Sequence, residues 1–447
     1  MGNYAGDFII CLIVLFSLCI IYSTTHIIKS FIGSGENIIS SQTYYSWIIR
    51  FCFNFCGYAT VLLPGYLIFK YVRRSKYFQR RGKGCLPRLV HSCFVGSGDQ
   101  GLLDSSHYSP TPTNSHSQRT FLQDSLLLIH CFLGLQVSYL TWGYLQEKIM
   151  TQKYDDGSGN TSHFKDSQFL VFINRVLAVF ISAVCLLIIR QPPHTIPLYK
   201  YAFCSFSNVL SSWCQYEALK YVSFPTQVLA KASKIIPVMI MGKIVSRAKY
   251  EYYEYVTAVL ISIGMMMFML GSTDHKNDGA TTFSGVILLG AYMTLDSFTS
   301  NWQNALFNDY GVTSLQMMCA VNLFSCLLTA TSLFQQSSLW YSLAFITTYP
   351  HFILDCILIS VFSTTGQLYI FYTISNFGAV TFIIMMTVRQ GFAILLSCLL
   401  YHHYITPLGI LGIFLVFLAV FLRIYCNNRL RSIKKRRAEA ISIKNKS

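Results

Sequence analysis

The sequence predicts an all-α polytopic membrane protein, with a ten-helix core of two inverted five-helix repeats and about two extra helices before it. Three observations carry that expectation. Twelve apolar runs have spanning length, Lys and Arg collect on one side of them, and the chain weakly matches itself at an offset of 155 residues.

The runs lie at approximately 8–28, 45–72, 125–147, 168–189, 197–217, 224–243, 254–271, 282–305, 314–334, 350–373, 377–400 and 405–425. About 20 apolar residues cross roughly 30 Å of hydrocarbon. Most runs contain Gly, Pro, Ser or Thr, which favours helices over strands. Only 12% of the 447 residues are charged, against about 25% in soluble domains, too little polar surface to coat a soluble globule of this length. The first run lacks a basic flank and exceeds a typical signal-peptide core, so it reads as a retained helix.

A net charge of +16 invites nucleic acid as a partner, but its distribution points to topology instead. If the C-terminus is cytosolic and all twelve runs span, the loops 74–120, 190–200, 243–251 and the tail from 423 hold 21 Lys and Arg. The opposite loops hold six: Lys29, Lys148, Lys153, Lys165, Lys220 and Lys276. Excess cytosolic Lys and Arg is what orientation in a bilayer requires. No nucleic-acid partner is expected; the bilayer is the expected surroundings, and a homo-oligomer is left open.

The boundaries follow from the runs. Residues 1–73 form the extra N-terminal helices, 74–120 a Gly/Ser-rich basic cytosolic linker, 121–271 the first five-helix repeat, 282–425 the second, and 426–447 a basic cytosolic tail. Fifteen cysteines are an odd number, and most sit within apolar runs. They read as small core residues, and Cys52 and Cys56 have no His or carboxylate neighbours to complete a metal set. Asn160-Thr161-Ser162 is a glycosylation sequon in a loop the topology makes lumenal.

The offset of 155 places Lys234 on Arg389, the apolar stretch from Pro237 on that from Phe392, and the helix from Tyr255 on that from Ile410. Five is odd, so a duplicated five-helix unit enters the membrane upside down. Such inverted repeats form a binding site near the bilayer midplane.

Ionisable residues in spanning helices cost several kcal/mol unless paired or hydrated, and so mark function by default. Here they are Arg50, Arg175, Lys231, Lys234, Asp296, Asp355 and Arg389, with Glu217 near a helix end. Lys231 and Lys234 share a helix face that Gln227 extends by a turn, and Pro237 permits a bend beside them. Arg389 precedes Gln390 at the matching place in the second repeat. Three cations at equivalent depth make a polyanion site, since Arg binds phosphate or sulfate bidentately and Lys acts as a point charge. A second reading stays open, in which a lysine pairs with Asp296 or Asp355 as a structural bridge. For Arg175, beside Asn174, a structural bridge and ligand contact both stand; Arg50 reads as structural or snorkelling.

Tyr139, Trp142, Tyr144 and Gln146, and Asn301, Trp302 and Gln303, have the chemistry to stack on and hydrogen-bond a purine, although belt or packing roles fit them better. No glycine-rich phosphate loop, HExxH, GxSxG or zinc-spaced Cys/His set is present, so neither an enzyme nor a cofactor or metal is expected.

The segments QVSYLTWGYLQEKIMT (136–151), FPTQVLAKASKIIPVMIMGKIVS (224–246), DSFTSNWQNALF (296–307) and the stretch 364–397 ending MMTVRQGFAILLS resemble the nucleotide-sugar transporter family, of the drug/metabolite transporter type. DSFTSNWQ and the longer N-terminus resemble its branch that carries 3′-phosphoadenosine 5′-phosphosulfate (PAPS). The resemblance runs from about Leu122 to Tyr425. It implies exchange of an activated nucleotide for the spent one across a Golgi membrane, with cations at Lys231, Lys234 and Arg389 on phosphate. A carrier of a UDP-sugar is the other reading within the same fold.

Overall fold

The computed structural model describes residues 2–34, 46–74, 85–94, 121–155, 161–164, 167–189, 191, 196–218, 221–222, 234–272, 283–335, 338–400 and 406–444. These residues form thirteen helices and one hairpin. The N-terminal helices are α1 (Gly2–Ser34), α2 (Ser46–Arg74) and α3 (Cys85–Phe94). Then come α4 (Phe121–Thr151), strands β1 (Lys153–Asp155) and β2 (Thr161–His163), α5 (Ser167–Ile188), α6 (Tyr199–Ala218), α7 (Ile235–Val245) and α8 (Tyr252–Ser272). The remainder is α9 (Phe283–Tyr310), α10 (Ser314–Gln335), α11 (Ser338–Thr348), α12 (Pro350–Leu400) and α13 (Pro407–Lys444).

The described parts of the twelve apolar runs are helical apart from a few end residues, with 224–233 of the sixth run outside the described residues, and the protein is an all-α polytopic membrane protein. Four described helices are long and apolar enough to cross a bilayer throughout: Leu122–Leu145, Phe169–Ile188, Ser314–Phe334 and Pro350–Met386. Helices α6 and α9 fall short of that hydropathy because each carries a polar face. That face is turned inward: Ser205, Ser207, Ser211 and Glu217 of α6, and Ser297, Thr299, Ser300, Asn301 and Gln303 of α9, are all buried. Buried polar groups in a membrane bundle must find partners inside the protein.

The runs 350–373 and 377–400 emerge as one element, α12, interrupted at Gly378, whose φ of 82° and ψ of 167° are not helical. Only glycine takes that backbone without steric cost, so the break between the two spans is written into one residue. Helix α3 stands inside the stretch expected as a linker. Its Val90 is buried with Ile10 and Val72, and Phe94 packs on Phe69 of α2 at 5.9 Å between ring centroids. The hairpin was also unforeseen. Tyr154 pairs with Ser162 across it, and its rings join Phe164, Phe169, Phe345, Tyr349 and Phe352 in a buried aromatic cluster.

The described chain divides into two compact units, each drawn from both halves of the sequence: Met1–Ser212 with Gln303–Asn376, and Trp213–Trp302 with Phe377–Ser447. Within the first, α5 packs on α10. Arg175 meets Asn322, while Phe169 and Leu170 share a buried cluster with Leu333, so the two helices run antiparallel. Helices α4 and α12 are also antiparallel, since His130 faces Tyr369 and Lys148 faces Asp355. Within the second unit, α8 packs along α13. Glu254 meets Arg423 at one end, and a Cβ on Gly412 would lie 2.5 Å from the Gly264 carbonyl oxygen further along. Glycine at both positions lets these antiparallel backbones touch.

Candidate substrate site

Two buried polar centres stand out among the described residues, one in each unit. In the second, Lys234 directly precedes α7 and is only 9% exposed. Its ammonium forms an ion pair with the carboxylate of Asp296 on α9 and lies 5.8 Å from the ring centroid of Tyr292, one turn earlier on that helix. Burying a lone ammonium is prohibitive, so the chain supplies the counter-charge and a π-face itself. One turn along α7, the Val238 carbonyl accepts a hydrogen bond from Asn301 Nδ2 at 2.8 Å, and the same nitrogen donates to Ser297 O at 2.9 Å. Lys234 with Asp296 and Val238 with Asn301 progress in the same direction, so α7 and α9 run parallel. The alternating topology read from the sequence sends both from lumen to cytosol.

Of the two readings of Lys234, the structure holds the ion pair with Asp296. Asn301 clamps α7 to α9 through a backbone carbonyl. Arg389 lies half-buried in α12, eleven residues beyond Gly378, in the same unit. Its neighbour Val388 packs on Met265, Phe268 and Val416 of α8 and α13. Lys231, Gln227 and the sequon residue Asn160 lie outside the described residues, as does the side chain of Gln390.

The first unit holds Arg175 differently. Arg175 Nη1 donates to Asn322 Oδ1 at 2.9 Å and Nη2 to Asn208 Oδ1 at 3.1 Å. A guanidinium can only donate, so both amides must present oxygen to it. The choice propagates. Asn322 turns its nitrogen to Met318 O and to Gln367 Oε1, both at 2.8 Å, and Gln367 in turn faces Ser363 with its own nitrogen. Four helices are thereby fixed in one hydrogen-bond orientation. The hydrogen-bond partners of Arg175 here are neutral, supplying dipoles rather than counter-charge.

Asp355, the other acid expected in a span, belongs to a third arrangement. It is 7% exposed, receives Lys148 Nζ at 2.8 Å and Tyr154 Oη at 2.9 Å, and so straps the hairpin and the end of α4 to α12. Burial and the hydrogen bond to Asp355 push the Tyr154 phenol above its ordinary range, which keeps it a donor. At the side assigned to the cytosol, burial and then the nearby Glu254 push the Tyr250 phenol up to about 12. Tyr139 and Trp142 pack edge to face at 6.1 Å, and Trp142 rests on the aromatic cluster, while Tyr144 is exposed. Trp302 stacks on Phe298 at 5.6 Å. These contacts are packing. Among the described residues no cluster of three His, Cys, Asp or Glu could hold a metal ion.

The sequence reading took up amides only beside charged or aromatic residues and so passed over Asn208, Asn322 and Gln367. The available signal was an amide within an apolar run, which also demands a partner in a bilayer. Lys148 was counted as a loop charge; nothing local reveals a partner 207 positions away.

The model of the UAA transporter family matches residues 127–427. The chain belongs to the UAA transporter family. This is a family of polytopic nucleotide-sugar transporters, in agreement with the resemblance carried by the four sequence segments. Among curated relatives, adenosine 3′-phospho 5′-phosphosulfate transporter 1 of Drosophila melanogaster is 49% identical, covering 97% of this chain and 96% of that one. The protein of the same name from Homo sapiens is 51% identical, covering 87% and 90%. UDP-galactose/UDP-glucose transporter 5B of Arabidopsis thaliana, a more distant relative, is 37% identical, covering 67% and 88%.

Proposed function

We propose that the protein carries PAPS from the cytosol into the Golgi lumen, where it supplies sulfotransferases, by antiport with adenosine 3′,5′-bisphosphate (PAP) or AMP. The observation that carries this reading is identity near one half, across nearly the whole of both chains, with proteins named for PAPS transport. The match to UDP-sugar carriers is weaker and shorter, and transport of a UDP-sugar is the alternative.

The core is two inverted repeats, 121–271 and 282–425. Two packings support this. The second helices of the repeats, α5 and α10, pair antiparallel, and so do the fifth helices, α8 and α13. A two-fold axis in the membrane plane makes equivalent helices meet in that way.

PAPS carries a 3′-phosphate and a 5′-phosphosulfate, and Lys231, Lys234 and Arg389 are its charge partners, with Gln227, Gln390 and Asn301 as polar neighbours. The pairing of Lys234 with Asp296 gives the site its working cycle. With no nucleotide bound, Asp296 neutralises Lys234. An entering phosphate or sulfate takes over the ammonium and releases the carboxylate, and departure of the nucleotide restores the pair. Asp296 is thus a built-in competitor that holds affinity low enough for release.

Uptake of labelled PAPS into proteoliposomes, with UDP-galactose and AMP as competitors, tests the assignment. PAPS uptake driven by lumenal PAP or AMP is expected. Uptake of UDP-galactose without PAPS would make the protein a UDP-sugar carrier.

A further inference from the structure

The end of α2 assigned to the cytosol is more cationic than topology alone requires. From Lys70 to Arg88 the sequence carries eight Lys and Arg and no Asp or Glu. Tyr66, Phe69, Lys70, Arg73 and Arg74 recur at offsets of three and four on α2, which places them along one stripe. The same five residues line one open cavity. Among the described residues none of its three cations takes part in an ion pair.

One wall of the cavity is held by packing. Phe69 is held from the side by Phe94 of α3 at 5.9 Å and by Tyr199 at 5.2 Å. Val72, between the basic residues, is buried with Val90. The Ser92 carbonyl also accepts the Leu198 N–H at 3.3 Å, which ties α3 to the approach to α6. Along the stripe the chemistry changes in order. Aromatic side chains come first, on the bilayer side beside the exposed Leu63 and Leu67, and the cations follow outward.

We propose that this groove binds the headgroup of an anionic phospholipid bearing a phosphate monoester, a phosphoinositide. Polybasic segments next to a spanning helix gather anionic lipid. The three clustered cations exceed the single charge of a phosphodiester, and adjacent arginines suit the bidentate demands of a monoester. A lipid is favoured over a free anion because the aromatic half of the groove continues into the membrane-facing surface of α2. The site is separate from the transport residues and does not rest on the transported substrate.

Native mass spectrometry of the full chain from micelles doped with phosphatidylcholine, phosphatidylserine or phosphatidylinositol 4-phosphate tests this. The wild-type protein is expected to retain the phosphoinositide about tenfold over either other lipid. The triple variant Lys70→Gln, Arg73→Gln, Arg74→Gln should lose that preference, and Arg73→Lys with Arg74→Lys should keep part of it. Equal retention of the three lipids by the wild type overturns the proposal without recourse to any variant, and so does a preference that survives in the triple variant. Inorganic phosphate at millimolar concentration should leave the lipid bound; displacement would make the groove a site for free anions and sink the lipid assignment. Displacement by polyglutamate would equally sink it, in favour of an acidic protein segment.

Discussion

Arg175 is a half-buried cation of α5 and Lys234 a buried one just before α7, yet the chain surrounds them in opposite ways. The guanidinium is gripped by two amide oxygens, whereas the ammonium is met by a carboxylate. Amides meet the guanidinium with dipoles, and their orientations are locked by a relay through Asn322 and Gln367. A carboxylate cancels the charge and is a chemical stand-in for phosphate or sulfate, so it is replaceable by them. The first arrangement suits a fixed strut and the second an exchangeable contact, although both residues looked alike as isolated charges in apolar runs.

The sharpest break of this comparison removes each cation. Lys234→Ala is expected to abolish PAPS uptake, by about 100-fold or more, without loss of expression or membrane insertion, and Arg389→Ala to do the same. Uptake that persists in both variants would return them to structural duty. Arg175→Ala leaves buried amide oxygens unpaired and should instead destabilise the fold by roughly 2–4 kcal/mol, seen as a lower melting temperature. A normal melting temperature with lost uptake would move Arg175 into the substrate site.

Asp296→Asn sharpens the exchangeable half of the comparison. Removing the competitor should tighten PAP binding about tenfold while slowing exchange, because the nucleotide no longer has a replacement waiting. Weaker binding in isothermal titration would show that Asp296 only supports the helix. A smaller effect is expected at the strap on Asp355. Tyr154→Phe should cost about 1 kcal/mol of stability and leave uptake near normal at neutral pH. The Tyr154 phenol is raised in the folded state, so its contribution is full below pH 10.0, the unfolded value, and disappears as pH rises through the higher folded one. A melting temperature that falls as pH drops from 9 to 7, and does so less in the Phe variant, would contradict that role.

The helical architecture was legible because spanning length, Gly/Pro content and charge asymmetry are local properties. The described parts of the runs are helical, and the break between the tenth and eleventh lies at Gly378, just inside the eleventh run rather than in the gap before it. The positions of Lys234 and Asp296 were legible as costs, and their union only as one of two readings. What stayed hidden was tertiary. The strands Lys153–Asp155 and Thr161–His163 are three residues each, too short for alternation to register, and α3 is a ten-residue helix within a stretch whose composition reads as linker. The Arg175 relay uses neutral amides, which a search for charges does not see.

The glycine contact between α8 and α13 has a mechanical consequence. A Cβ at Gly264 would lie 2.9 Å from Gly412 O, and one at Gly412 would lie 2.5 Å from both Gly264 O and Phe268 N. At that crossing backbone meets backbone, with the side chains of Met265, Phe268 and Val416 packed beside it. A joint so close has no room for one more methyl group, so alanine at Gly412 would act as a wedge that prises the two helices apart.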